Sequence, residues 1–521
     1  MDTKALRQKI LDLAIRGKLV PQDPEDEPAS VLLERIREEK QQMVKGGKLK
    51  AKDIKNDTII FKGEDNLHYE KFHDGTVKCI EDEIPFEVPE GWAWCRLNDI
   101  FNFIDYRGAT PTKITSGIPL VTAKNVKSGY IDYTVDDYIS EEEFKERQQR
   151  GISRKGDILF TTEAPLGNAA LADIEKFSAG QRLITFQHYG SKNELINYVM
   201  LMFILSDFFQ QQLYVNKTGS TVAGIKAAIL KTLWIPIPPY KEQVRISNIL
   251  KSAIKLIDSI SKDKEILSII ISKTKSKILD LAIRGKLVPQ DPDDESASVL
   301  LERIRTEKKE LIKQGKIKRG KKESVIFKGD DNSYYQTAQK EPIDTPYEIP
   351  DSWVWSNLKE LCNYGECENV SPDRIPDDAW ILDLEDIEKN SGKVLQRLTN
   401  TERQTSSTKH VFKKGMILYC KLRPYLNKVV LADADGYCTS EIIPLEFSSI
   451  IYPKYAQLFL MSPFFIGYAN HCSYGMKMPR LGTRDGQIAL FAIPPYQEQL
   501  RIVDMVEQIS MQINVIENSL T

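Results

Sequence analysis

The chain contains one long segment twice. Residues 9–40 read KILDLAIRGKLVPQDPEDEPASVLLERIREEK and residues 277–308 read KILDLAIRGKLVPQDPDDESASVLLERIRTEK. The offset is 268 residues throughout, and three of the 32 positions differ: Glu25/Asp293, Pro28/Ser296 and Glu38/Thr306. Solenoid and propeller repeats have periods of roughly 20–50 residues, so a period this long means two copies of a domain-sized half. The repeat continues more loosely: PFEVPEGWAW (85–94) recurs as PYEIPDSWVW (346–355), and IPPYKEQVRI (237–246) recurs as IPPYQEQLRI (493–502). Between these markers the identity fades. Each half is a near-constant frame around a divergent insert of roughly 140 residues. One frame holding two unlike inserts points to a scaffold that presents two different surfaces.

The repeated block opens as a helix. Leu6, Ile10, Leu13 and Ala14 fall at helical spacing, Gly17 suits a left-handed C-terminal cap, and Pro21 lies just beyond. The same stop recurs at Gly285 and Pro289. A second helix begins near Pro28 or Ser30, with Leu32, Leu33, Ile36 and Met43 as its apolar face. From Glu242 to Ile283 there is neither proline nor glycine. Ile246, Ile249, Ala253, Leu256, Ile260, Leu267 and Ile270 mark a coiled-coil seam along one long helix. The C-terminal segment from Tyr496 corresponds to the first part of that helix, and Thr3 to Arg16 to its last part. The second copy is therefore cut, with its pieces at opposite ends of the sequence. This predicts a pseudo-two-fold circular arrangement, with the termini adjacent and two antiparallel long-helix regions separating two globular inserts.

The inserts read as α+β (mixed α/β). Segments 156–164, 169–174 and 181–189 read as strands and 194–214 as a helix; 415–447 repeats the strand–turn–strand pattern, and 451–468 is its helix. A polar, glycine-containing loop follows each helix, at 216–228 and 474–487. Trp92, Trp94, Trp353 and Trp355, alternating after a turn, read as core where insert meets frame.

Apolar residues make up 41% and charged residues 28%, ordinary for a soluble globular protein, and no apolar run reaches the ~18 residues of a membrane span. The N-terminal pattern carries charges throughout, unlike a signal peptide, so the seven cysteines read as free thiols in a reducing cytoplasm. The net charge is −2, but residues 308–328 hold nine basic and two acidic side chains and residues 40–62 hold seven and two. Each stretch reads either as a solvated hairpin or as a contact to backbone phosphates.

No catalytic centre emerges. Gly219 to Lys226 approaches a phosphate-binding loop but has Ile225 where the lysine belongs. The Ile-Pro-Pro-Tyr tetrapeptides at 237 and 493 have isoleucine where an amino-methyltransferase would carry Asn or Asp. Asp157 and Glu163 lack a following lysine for a nuclease. Five histidines, none repeated between halves, support no nucleophilic triad, and the cysteine spacing supports no zinc site.

The duplicated frame, DLAIRGKLVPQDP and the two IPPYxEQ signatures together resemble the specificity subunit of a Type I restriction–modification enzyme, across essentially the whole chain. The resemblance implies a non-catalytic subunit. Its two inserts would be target-recognition domains, each reading one half of an asymmetric bipartite site on double-stranded DNA. Its helices would set the half-site separation, near one helical turn (~34 Å), and would dock two methyltransferase subunits and the restriction/translocase subunits. S-adenosylmethionine, ATP and Mg would belong to those partners, and this chain would need no cofactor or metal. The implied domains are 1–60 (first frame region), 61–239 (recognition domain 1), 240–326 (central long helix and repeat), 327–495 (recognition domain 2) and 496–521 (C-terminal helix).

By position in the loops, the DNA contacts of the first insert are expected at Lys217, Thr218, Ser220, Thr221 and Lys226, then Thr161 and Thr162. In the second they are expected at Lys477, Arg480, Thr483 and Arg484, then Lys421, Arg423 and Tyr425. Arg16 and Lys18, with their copies Arg284 and Lys286, are the expected partner contacts. Near-identity of the two frame copies exceeds what packing demands and fits two equivalent docking surfaces, although a recent duplication would give the same identity. The competing reading is a coiled-coil protein-interaction scaffold without sequence-specific DNA binding.

Overall fold

The computed structural model describes every residue except 1, 107–109, 190–193, 220–222, 315–324, 332, 338–341 and 521, and the side chains of 150, 307, 308 and 311. The chain forms two compact units, Met1–Asp263 and Lys264–Thr521, that divide inside the long helix Tyr240–Ile283.

In the first unit the helix Thr3–Ile15 is N-capped by Asp2, whose carboxylate accepts from the amides of Lys4 and Ala5. Gly17 stops it at φ +66°, and a Cβ there would lie 2.3 Å from Pro89 Cγ. Two reasons thus demand glycine: the left-handed backbone and the proline against it. Leu11, Ala14 and Ile15 of this helix share one core with Leu32 and Ile36 of the helix Ala29–Lys45 and with Ile246, Leu250, Ile254 and Ile257 of the long helix. Arg7 pairs with Asp258 while Gln22 bonds Glu242, so the N-terminal helix runs antiparallel to the long one. The second unit repeats the device. Ile271, Ile278 and Ala282 pack with Ile502, Val503, Val506 and Ile513 of the helix Tyr496–Leu520, and Lys275 bonds Glu517 at 2.6 Å.

The seam differs in register from the sequence expectation. Ile246 is buried as expected, but Ile249, Leu256 and Ile270 are exposed, and Leu250, Ile254, Ile257 and Ile271 occupy the interface instead. Apolar residues lie on adjacent stripes of this helix, so spacing alone could not choose between them; packing against the terminal helices does.

Each insert leaves and rejoins its frame through a two-stranded clasp. Ala93–Arg96 pairs antiparallel with Trp234–Ile237, and Val354–Asn357 pairs with Leu490–Ile493. All four tryptophans of the 92–94 and 353–355 motifs are buried there, as their alternation implied. The IPPYxEQ signature ties the clasp to the long helix. Glu242 accepts from the Trp92 indole (2.9 Å) and from Gln22 (3.0 Å). Gln243 donates to the Pro238 carbonyl and accepts from the Ile196 amide. In the second unit Glu498 accepts from Trp353 and Gln290, and Gln499 donates to Pro494 and accepts from Tyr452. Arg245–Asp26 and Arg501–Asp294 complete the two knots. The motif is structural: its polar residues are spent holding the frame closed.

The first insert holds an antiparallel sheet in the order Phe101–Asp105, Leu183–His188, Ile158–Thr161, Ala169–Leu171. The corresponding sheet of the second has the order Val429–Leu431, Ile417–Cys420, Ile442–Leu445. Beside it lies a five-stranded mixed sheet, where the first insert has a smaller three-stranded one. The single helices expected at 194–214 and 451–468 are each broken in two: Asn197–Ile204 with Asp207–Val215, and Pro453–Leu460 with Pro463–Cys472. Ser206 and Ser462 break them by donating to the preceding turn and accepting from the Phe209 and Phe465 amides.

The basic stretch 40–62 is not uniformly solvated. Lys40 is buried, paired with Asp57 at 2.5 Å, and donates to the Asn98 carbonyl at 3.0 Å. Much of the matching stretch 308–328 lies outside the described residues.

Candidate nucleic-acid interface

Each insert builds one exposed edge from the same parts. In the first, the strand Ile158–Thr161 runs into Thr162, Glu163 and then Ala164, which sits at φ +46°. Gly224 bridges both Glu163 and Thr218, and the Ile225 amide donates to the Thr162 carbonyl at 3.1 Å, so the loop after the helices is sewn onto the strand end. In the second, the strand Ile417–Cys420 runs into Lys421, Leu422 and Arg423, which sits at φ +52° where Ala164 stands. Arg480 bridges both Leu422 and Tyr474, and the Arg423 amide donates to the Pro479 carbonyl at 2.7 Å. A non-glycine residue in the left-handed region is uncommon and strained. Finding one at the same turn of both inserts marks a shape that the shared strand–loop architecture imposes.

At the first edge the loop and strand ends enclose an open pocket of about 380 Å³, lined by Thr162, Glu163, Gln181, Arg182, Thr218, Gly224, Ile225 and Lys226. Arg182 Nε lies 3.0 Å from Glu163 Oε1, both side chains about half exposed, and Thr110 donates to Gln181 Oε1. Lys226 is exposed at the mouth with no side-chain partner among the described residues. Lys217 lies over the Tyr214 ring at 3.6 Å. Thr218 is exposed, and its hydroxyl faces the Gly224 carbonyl. Ser220 and Thr221 lie outside the described residues.

Two expected contacts are overturned. Thr161 is fully buried, its hydroxyl exchanging hydrogen bonds with the Asn168 backbone, and Thr162 is 2% exposed with its hydroxyl donated to the Arg182 carbonyl. Both close the strand–turn, and neither offers a free hydroxyl. Alternation along a strand does not reveal that its last two side chains are claimed by a turn. Gln181, Arg182 and Glu163 were not among the expected contacts, because only the pairing of Leu183 with Thr161 brings the 181–182 turn against the loop.

At the second edge Arg423, Tyr425, Lys477, Thr483 and Arg484 are exposed, and Lys421 is half-buried. Arg480 is engaged within the chain. Its Nε and Nη2 lie 2.8–3.0 Å from the Glu441 carboxylate and its Nη1 donates to the Met478 carbonyl. The Glu441 hydrogen bonds raise its already high pKa further. Arg480 therefore shapes the loop as well as charging it.

In the frame, Arg16 donates to Asp12 and lies over the Phe86 ring, and Arg284 donates to Asp280 and lies over the Tyr347 ring. Both hold their frame helix against the repeated 85–94 and 346–355 segments. Lys18 and Lys286 are exposed, without side-chain partners among the described residues. Among the described residues no group of three or more His, Cys, Asp or Glu could hold a metal ion, and no helix is long and apolar enough to cross a membrane.

Residues 89–268 match the family described as the Type I restriction modification DNA specificity domain. The chain is 25% identical to the Type I restriction enzyme EcoAI specificity subunit of Escherichia coli, over 98% of this chain and 89% of that protein. It is 26% identical to the EcoEI specificity subunit of the same organism, over 97% and 88%. A solved structure described as the structural basis underlying complex assembly and conformational transition of the type I R-M system aligns with a TM-score of 0.52 at 15% identity, covering 84% of this chain and 94% of that one. That likeness is one of fold. The repeated frame and the two unlike inserts go with a similarity, over nearly the whole chain, to the specificity subunits of Type I restriction–modification enzymes.

Proposed function

We propose that this protein is the sequence-specific DNA-binding subunit of a Type I restriction–modification complex, each insert reading one half of an asymmetric bipartite site. One observation carries the reading. The two inserts share strand order, left-handed turn and loop attachment but place different chemistry at equivalent positions. Glycine at 224 stands where the second insert has Arg480, lysine at 226 where it has Gly482, and arginine at 182 where it has Glu441. Constant backbone with interchangeable side chains is what separate readout of two base sequences requires. Lys217, Thr218 and Lys226 serve the first half-site; Lys421, Arg423, Tyr425, Lys477, Arg480, Thr483 and Arg484 serve the second.

The chain performs no chemistry itself. Methyl transfer with S-adenosylmethionine, and ATP- and Mg-dependent restriction, belong to methyltransferase and restriction subunits. Two methyltransferase subunits dock on the duplicated frame, with exposed Lys18 and Lys286 at the contact. The test is selection of bound duplexes from a random pool by the chain with its methyltransferase subunits. Two short, unlike half-sites at fixed spacing, with affinity falling steeply as salt rises, support the reading. A folded complex that enriches no sequence overturns it in favour of a protein-interaction scaffold.

A further inference from the structure

We propose that Arg182 is the base-reading residue of the first half-site and that it reads a guanine; this rests on the DNA-binding reading above. The strand pairing fixes its place. Leu183 pairs with Thr161 in the first insert and Ile442 with Cys420 in the second, so Arg182 and Glu441 stand at the same point, one residue before the strands Leu183–His188 and Ile442–Leu445, beside the attached loop.

Each has an opposite charge against it, but from a different segment: Glu163 of the strand end for Arg182, and Arg480 of the loop for Glu441. A pair needed only to hold the fold would have no reason to exchange both its charges and the segment that supplies its partner. A position that decides which base edge is recognised does.

Arg182 keeps its donors available. Glu163 Oε1 lies 3.0 Å from Nε as an ion pair, and among the described residues nothing accepts a hydrogen bond from the two terminal nitrogens. The pair is half exposed and screened by solvent, so it holds the guanidinium weakly and leaves it available to DNA. A guanidinium with both terminal N–H groups free matches the O6 and N7 acceptors of guanine, the commonest specific side-chain–base pairing. Lys226, a point charge at the mouth of the same pocket, suits a phosphate, which positions the duplex without selecting a sequence. Arg480 has less freedom, with two nitrogens on Glu441 and the third on Met478, so the two edges do not read alike.

The experiment compares the wild-type chain with Arg182→Gln and Lys226→Ala, each bound to the methyltransferase subunits, in the random-pool selection. Arg182→Gln is expected to change preference at one position of one half-site, weakening the guanine by roughly 5- to 150-fold and favouring adenine, with the other half-site unchanged. Lys226→Ala is expected to weaken all sequences alike. A second measurement needs no variant: 7-deazaguanine, which lacks the N7 acceptor, is placed in turn at each guanine of the half-sites. Weakened wild-type binding at one position, and indifference of Arg182→Gln there, supports the assignment. If wild type enriches a bipartite site but Arg182→Gln keeps every preference, or no guanine in either half-site responds to the loss of N7, the assignment is overturned while DNA recognition stands. If wild type enriches nothing, the functional reading itself fails.

Discussion

Replacing Glu242 by alanine tests whether the IPPYxEQ signature acts as a structural knot. Glu242 is 1% exposed and accepts from Trp92 Nε1 and Gln22 Nε2. Gln22 keeps its bonds to the Gly17 and Val20 carbonyls when the carboxylate is removed, so it is not orphaned. The buried Trp92 indole is, and an unsatisfied buried donor costs about 1–3 kcal/mol. Removing the acid also relieves its own desolvation, which has raised its pKa above the ordinary range. That relief offsets part of the lost packing, leaving a net destabilisation of about 2 kcal/mol. For a unit of this size the shift is about 4 °C in calorimetry. Glu242→Gln keeps an acceptor for the indole and is expected to cost less than about 1 kcal/mol. Because the folded-state pKa is raised, Glu242 contributes most at low pH. Its contribution falls as pH rises through the folded pKa, and that slope is absent in Glu242→Gln. Glu498, which accepts from Trp353 at the same 2.9 Å, is expected to behave the same way. Wild-type stability in Glu242→Ala, or equal damage from the alanine and glutamine variants, would refute the reasoning.

Two further outcomes follow from burial. Leu250→Ala is expected to cost about 2–5 kcal/mol in urea unfolding and Leu256→Ala less than about 0.5, since the first is fully buried and the second 62% exposed; the reverse order would restore the seam read from spacing. Lys40→Met leaves Asp57 without its buried partner and is expected to cost about 3 kcal/mol, although Lys40 sits in a stretch that looks like solvated charge; an unchanged urea midpoint would show the pair to be dispensable.

The sequence by itself determined the two-part plan. Duplication is visible without coordinates, and so are local devices: the glycine stop at 17 and 285, the proline-free long helix, and the alternating tryptophans, each set by nearest neighbours along the chain. The breaks at Ser206 and Ser462 were not read from the sequence: a serine followed by an acid or proline marks each, but the apolar run around it reads as one helix. Only the tertiary structure decided which stripe of the long helix is buried, because two stripes were nearly equally apolar and the choice belongs to the helix packed against it. It also decided that Thr161 and Thr162 are closed to solvent, and it brought Arg182, Glu163 and Gly224 together from three distant segments. Strand pairing and loop attachment act between residues far apart in sequence, so the charges that meet at an edge of the insert are fixed by the fold and not by spacing along the chain.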